Sequence, residues 1–189
     1  DTIMSTQENS ADTNITEYVT VWIGEQLFGL PISRVQDVFM PDRLTRVPLS
    51  PPEIAGVLNL RGRIVTAVNM RCRLGMKPRD DGKQSMAIGI EFGGESYGLL
   101  IDTVGEVLKL ADDTRETNPV NLDRRLARVS AGVYRLDGQL LVVLDVDRVL
   151  DLLSHRCQFS VAVERALEIG PTANPEDVRF LLSITREAV

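Results

Sequence analysis

Two stretches of this chain repeat each other. When the run beginning at Phe28 is laid over the run beginning at Tyr97, an offset of 69 residues, Phe28-Gly29-Leu30-Pro31-Ile32 faces Tyr97-Gly98-Leu99-Leu100-Ile101. Val35, Asp37 and Val38 then face Val104, Glu106 and Val107. A second block, at an offset of 76 residues, sets Gly56-Val57, Leu60, Gly62 and Ile64-Val65 against Gly132-Val133, Leu136, Gly138 and Leu140-Leu141. Preserved order with only a small change of offset marks an internal duplication. The chain is therefore expected to fold as two copies of one unit, the second with a longer middle loop between Leu110 and Val129.

Each copy reads as strands. Tyr18–Ile23 alternates around Val19, Val21 and Ile23, and Gln26–Pro31 is rich in bulky residues, with Gly24-Glu25 as the turn of a β-hairpin. Met86–Phe92 and Tyr97–Ile101 flank a second turn at Gly93-Gly94. Arg63–Met70 places Ile64, Thr66, Val68 and Met70 on one face, and Gln139–Val146 reads as a strand buried on both faces. Ser33–Phe39 and Thr103–Leu108 fit short helical turns or bent strands, with strand preferred. Many short strands in duplicate predict two small barrels, because closure removes exposed sheet edges. From about Asp151 the pattern turns helical. Gln158–Ile169 has helical apolar spacing, and Asn174 caps a last helix with Val178, Leu181, Leu182 and Thr185 on one face.

Composition excludes several functions. A net charge of −6 argues against a nucleic-acid surface. No apolar run approaches the roughly 20 residues a bilayer-spanning helix requires, so direct membrane insertion is not expected. The polar start, 1–16, lacks a secretory pattern and is expected to be a disordered arm. Two distant cysteines, Cys72 and Cys157, suit a reducing, cytoplasmic compartment and form no metal framework. The single histidine, His155, reads as a surface residue at a helix end. Asp102 and Glu106 stand four apart like a pair of catalytic acids, but Asp102 faces Ser33 in the other copy, so the pair is not duplicated and reads as solvated loop acids. The glycine turns lack a following phosphate-binding helix. No cofactor, metal or catalytic residue is expected. A local cluster of Arg61, Arg63, Arg71 and Arg73 reads in the first instance as a solvated strand edge.

The run Ile54-Ala55-Gly56-Val57-Leu58-Asn59-Leu60-Arg61-Gly62 resembles the signature of CheW-like domains. Phe28–Ile32 with Val35-Gln36-Asp37-Val38 upstream, and Ile64–Arg71 downstream, resemble that family's flanking strands. The resemblance runs from Glu17 to Leu153, dividing the chain into an arm at 1–16, a CheW-like domain at 17–153 and a helical tail at 154–189. It implies an all-β fold of two intertwined five-stranded SH3-like β-barrel subdomains followed by the tail. It also implies a non-enzymatic adaptor that couples the cytoplasmic tips of methyl-accepting chemoreceptors to the regulatory domain of the histidine kinase CheA, in the cytoplasm at membrane-associated receptor arrays.

By the same resemblance Val35, Val38, Gly56, Asn59, Arg61, Val104 and Val107 would line or support a receptor-binding groove, and Leu44 and Val47 would face the kinase. Plain structural roles stand beside these. The four valines suit a core, Asn59 suits a turn cap, and Arg61 suits an internal ion pair. Arg61 is the strongest functional candidate, because the second copy carries Asp137 in its place. Competing readings are a CheW-like adaptor of a pathway serving pili or gene expression, and a small β-barrel enzyme that binds or hydrolyses a ligand.

Overall fold

The computed structural model describes residues 13–154. The expected helices after Ser154, His155 and Cys157, and the arm before Thr13 lie outside the described residues. Ten strands follow one another: β1 (Ile15–Ile23), β2 (Gln26–Pro31), β3 (Asp37–Phe39), β4 (Ile54–Leu60), β5 (Arg63–Asn69), β6 (Met86–Phe92), β7 (Glu95–Ile101), β8 (Thr103–Ala111), β9 (Ser130–Leu136) and β10 (Gln139–Leu144). Among the described residues two short α-helices lie between strands, α1 (Met70–Arg73) and α2 (Arg124–Ala127), and α3 (Val146–Ser154) follows β10. β1 begins at Ile15, inside the stretch expected to be a disordered arm.

The duplication is real, but each sheet is built from both copies. One sheet runs β8-β1-β2-β10-β9 and the other β3-β6-β7-β5-β4. The first hairpin of each copy therefore leaves its own unit and completes the other. Two parallel pairings seal the exchange, Leu141 to Val143 against Leu27 to Gly29 and Val65 to Asn69 against Ser96 to Leu100. All other strand pairs are antiparallel.

Exchange explains why the central strands are apolar on both faces. On β10, Val142 and Leu144 enter a large core shared with Val68, Ile88, Ile90 and Leu99 of the other sheet, while Leu141 and Val143 turn inward onto Tyr18, Leu27 and Tyr134. Likewise β5 sends Val68 to the shared core and Val65 and Ala67 into its own interior with Leu58. On the expected face of Ile64, Thr66, Val68 and Met70, Val68 and Met70 are fully buried while Ile64 is exposed, and the opposite face, Val65 and Ala67, is buried as well, because the strand has two apolar sides to satisfy. Tyr18 and Tyr134 meet edge to face at 5.5 Å with their hydroxyls 3.3 Å apart. Burial, with the Tyr18 hydroxyl adding, pushes the Tyr134 phenol far above its usual range.

Several ends differ from the expectation. β10 stops at Leu144, since Asp145 accepts the Arg148 N–H at 3.1 Å and starts α3. Asn69 does the same for α1, accepting from Cys72 N, so Met70 is helical and not part of the strand. Ile32–Arg34 is a single 3-10 turn and only Asp37–Phe39 pairs, whereas the equivalent stretch of the second copy is a full strand, Thr103–Ala111.

Candidate partner-binding site

The hairpin between β4 and β5 turns on two residues, Arg61 and Gly62, with φ of +53° and +82°. Two central residues at positive φ make the tight hairpin turn that matches strand twist, for which Asn-Gly is the usual sequence. Arginine there is strained, because its Cβ crowds the following carbonyl oxygen. The second copy avoids this: in Asp137-Gly138 only the glycine has positive φ. Asn59 holds the turn by accepting the Gly62 N–H at 2.9 Å, so its side chain acts as the turn cap weighed from sequence. Arg61 itself is 82% exposed, and its Nη1 lies 3.5 Å from Asp37 Oδ2. The internal ion pair thus exists, yet at this length and exposure it anchors the guanidinium only loosely. Arg61→Asn is expected to stabilise the isolated protein by about 0.5–1 kcal/mol by relieving the strain, read as a higher urea midpoint.

The four valines divide in the same way in both copies. Val35 and Val104 pack against the shared core, as the plain reading of buried valine has it. Val38 and Val107, their partners three residues on, are 39% and 50% exposed. Val38 sits on β3 and Val107 on β8, each the edge strand of its sheet. β8 is shaped by a bulge: Val19 pairs with Val107 and Val21 with Val104, leaving an extra residue on β8. Buried Thr20 donates to the Glu106 carbonyl at 2.6 Å there, and any Cβ at Gly105 would stand 2.5 Å from the Thr20 hydroxyl.

Gly56 is buried at a bulge of β4, with φ of +152°. A Cβ on it would lie 2.6 Å from the Thr45 carbonyl oxygen, where the preceding loop crosses β4 and exchanges two backbone hydrogen bonds between Thr45 and Val57 at 2.8 and 2.9 Å. Close backbone approach is its structural task. Leu44, next to this crossing, is exposed, whereas Val47 is buried and can only back a contact. Sequence reasoning missed Leu49, which is 74% exposed with φ of +61°, and the exposed Met40 and Ile64. A bulky aliphatic residue within Pro48-Leu49-Ser50-Pro51-Pro52 was the available signal.

Between β3 and the β4–β5 turn lies a cavity of about 340 Å³, lined among others by Asp37, Phe39, Arg61, Arg63, Ser96 and Tyr97. The arginine cluster read from sequence is split by the fold. Arg61 and Arg63 border this cavity, Arg71 binds Asp102, and Arg73 donates to the Val149 carbonyl of α3.

Asp102 is not a solvated loop acid. Its carboxylate takes two hydrogen bonds from Arg71, at 2.9 and 2.6 Å, and one from the Gly24 N–H at 2.8 Å. The reason is the strand exchange, which lays the β7–β8 corner against the β1–β2 turn and α1. Burial disfavours its charge, but Arg71 and the Gly24 N–H outweigh that and hold it below the usual carboxylate range. Glu106 is exposed and takes no part. Burial pushes the Cys72 thiol above its usual range, with Glu53 adding, so it is not an activated nucleophile. Among the described residues no group of three or more His, Cys, Asp or Glu side chains is placed to hold a metal, and no helix is long and apolar enough to cross a membrane. The chemistry available here is that of recognition: exposed aliphatic edges, a forked cation and a concave apolar pocket.

The CheW-like domain family model matches residues 17–154. A probable chemotaxis protein CheW from Rhizobium etli is 29% identical over 147 residues, covering 76% of this chain and 93% of that protein. The chemotaxis protein CheW of Thermotoga maritima is 29% identical over 135 residues, 71% of this chain and 87% of its own. The crystal structure of the scaffolding protein TtCheW from Thermoanaerobacter tengcongensis superposes with a TM-score of 0.65 at 26% identity, covering 73% of this chain and 94% of that one. With the duplicated unit, the exchanged hairpins and the Gly56–Gly62 run all inside the matched region, this chain belongs to the CheW-like domain family.

Proposed function

We propose that this protein is a non-enzymatic chemotaxis adaptor that couples chemoreceptor tips to the histidine kinase CheA within membrane-associated receptor arrays. The observation that carries this reading is the repeated pair of valines, one packed against the shared core and one facing solvent, the exposed member lying on an edge strand of each sheet. An aliphatic side chain kept in water on an edge strand invites unwanted pairing unless a partner covers it. Val38 and Val107 supply the apolar face that a receptor helix buries, over Val35 and Val104 as backing. Arg61 supplies a charge-assisted fork for a carboxylate or backbone oxygen, and its strained backbone is the kind of local cost that functional sites carry. Leu44, backed by Val47 and by the tight crossing at Gly56, faces the kinase regulatory domain.

The test is a pull-down of the purified protein with a chemoreceptor cytoplasmic fragment and CheA, each alone and together. Arg61→Ala is expected to shift stability by less than about 0.5 kcal/mol and to weaken receptor retention about tenfold while kinase binding stays. Arg61→Asn should show the same loss in a more stable protein, which separates recognition from folding. Unchanged receptor binding by both variants would remove Arg61 from the groove. Failure of the wild-type protein to bind either partner would point to another client.

A further inference from the structure

The cavity beside Arg61 opens between β3 and the β4–β5 turn. It is floored by Phe39, Leu60, Val65 and Ile90, and its volume of about 340 Å³ reaches the range of roughly 300–1,000 Å³ in which proteins take small ligands or side chains. Its rim carries two arginines. Arg61 is held only by the loose Asp37 pair, and the Arg63 guanidinium has no ion-pair or hydrogen-bond partner among the described residues. Ser96, on the central strand β7, brings a small side chain to the same space. An apolar floor under a rim with two cations and one anion is complementary to one chemistry: a bulky apolar side chain with a carboxylate close by.

We infer that this cavity is a specificity pocket for the helical partner segment, taking an aromatic or large aliphatic side chain that lies one helical turn from an acidic residue. On a helix, residues three or four apart share a face about 5–6 Å apart at Cβ, so the apolar chain enters between Phe39 and Tyr97 while the carboxylate meets the fork of Arg61 and Arg63. The loose Asp37 pair holds Arg61 over the rim in the free protein and yields to the stronger, partly desolvated pair on binding. Asp37 also penalises basic partner segments, giving discrimination by charge as well as shape. The strained turn at Arg61 has a purpose on this account: it fixes a guanidinium at the rim that an Asn-Gly turn lacks. The inference rests on the adaptor reading, since it assigns the pocket to the receptor segment.

The experiment measures binding of a chemoreceptor cytoplasmic fragment and, separately, of CheA to the full chain and three variants. Ser96→Leu fills the pocket while keeping both arginines, Arg63→Ala removes the second rim cation from an exposed position, and Arg61→Ala reports the adaptor site itself. The expected result is an about tenfold loss of receptor affinity for Ser96→Leu and a several-fold loss for Arg63→Ala, with CheA binding unchanged. A folded Ser96→Leu is confirmed by its thermal midpoint, and Arg63→Ala carries the test alone if it does not fold. Receptor binding that falls with Arg61→Ala but ignores the other two variants overturns the pocket and leaves the adaptor reading standing. Receptor binding indifferent to all three overturns the pocket and removes Arg61 from the groove, whereas failure of the wild-type chain to bind the receptor or CheA overturns the adaptor reading itself.

Discussion

Gly56→Ala is expected to destabilise the protein by about 2–4 kcal/mol, from left-handed backbone strain and overpacking together. Against a typical total of about 5–15 kcal/mol for a domain, that is enough to populate unfolded chain at growth temperature. The added methyl has nowhere to go. It would stand 2.6 Å from the Thr45 carbonyl oxygen, which accepts the Val57 N–H while the Thr45 N–H donates back to the Val57 carbonyl, and the residue's φ of +152° disfavours any Cβ. Gly132→Ala should behave alike, since its Cβ would meet the Glu116 carbonyl oxygen at 2.8 Å under the matching Glu116 and Val133 bridge. Gly138→Ala is the control: its φ is +69° but nothing lies within 4 Å of the new methyl, so only the left-handed penalty of about 1–2 kcal/mol applies. Urea midpoints should fall in the order Gly138, then Gly132 and Gly56. Equal midpoints for Gly56→Ala and Gly138→Ala would show that the crossing loop yields, and the close approach would lose its structural meaning.

Asp102→Ala is expected to cost about 2–3 kcal/mol at neutral pH, because it strands the partly buried Arg71 guanidinium and the Gly24 N–H. The two side chains are 12% and 21% exposed, which places the pair between a surface bridge and a buried one. Its pH dependence follows from the direction of the shift. The folded-state pKa of Asp102 lies below its unfolded value, so the contribution is fully present above about pH 4 and is lost as pH falls through the folded pKa. Arg71 is shifted up, chiefly by the same hydrogen bond, and stays charged throughout. Urea unfolding of wild type and variant should therefore differ most near pH 7 and converge in acid below the ordinary carboxylate range. A gap that persists unchanged to low pH would mean that the lost side-chain packing, and not the ion pair, carries the effect.

These two sites differ in how far they were legible. That Gly56 recurs as Gly132 is visible in the sequence, and the structure adds that a loop backbone comes close to each. Asp102 read as a solvated acid because its partner Arg71 is 31 residues away in sequence and meets it only after β7 has docked beside β5. Asn59 was readable because it bonds within its own turn, to Gly62. Leu49, Met40 and Ile64 were not, since exposure of an aliphatic side chain depends on what the remaining chain leaves uncovered. Val35 and Val38 are three residues apart and identical in type, and only packing turns one to the shared core and leaves the other exposed.

By itself the sequence determined that this protein is a duplicated β-unit, where its hairpins turn, and that Arg61 breaks the equivalence of the two copies. These are local properties: alternation of apolar residues, turn glycines and a repeated order of residue types act within a few positions of the chain. The resemblance implied intertwined subdomains, and only the tertiary structure decided that it is the first hairpin of each copy that completes the other copy's sheet. Equivalent strands carry equivalent patterns, so either pairing satisfies the local rules. The choice falls to burial: exchange places Leu27 to Gly29 against β10 and Ser96 to Leu100 against β5, giving the central strands two apolar faces to fill and one shared core between the sheets.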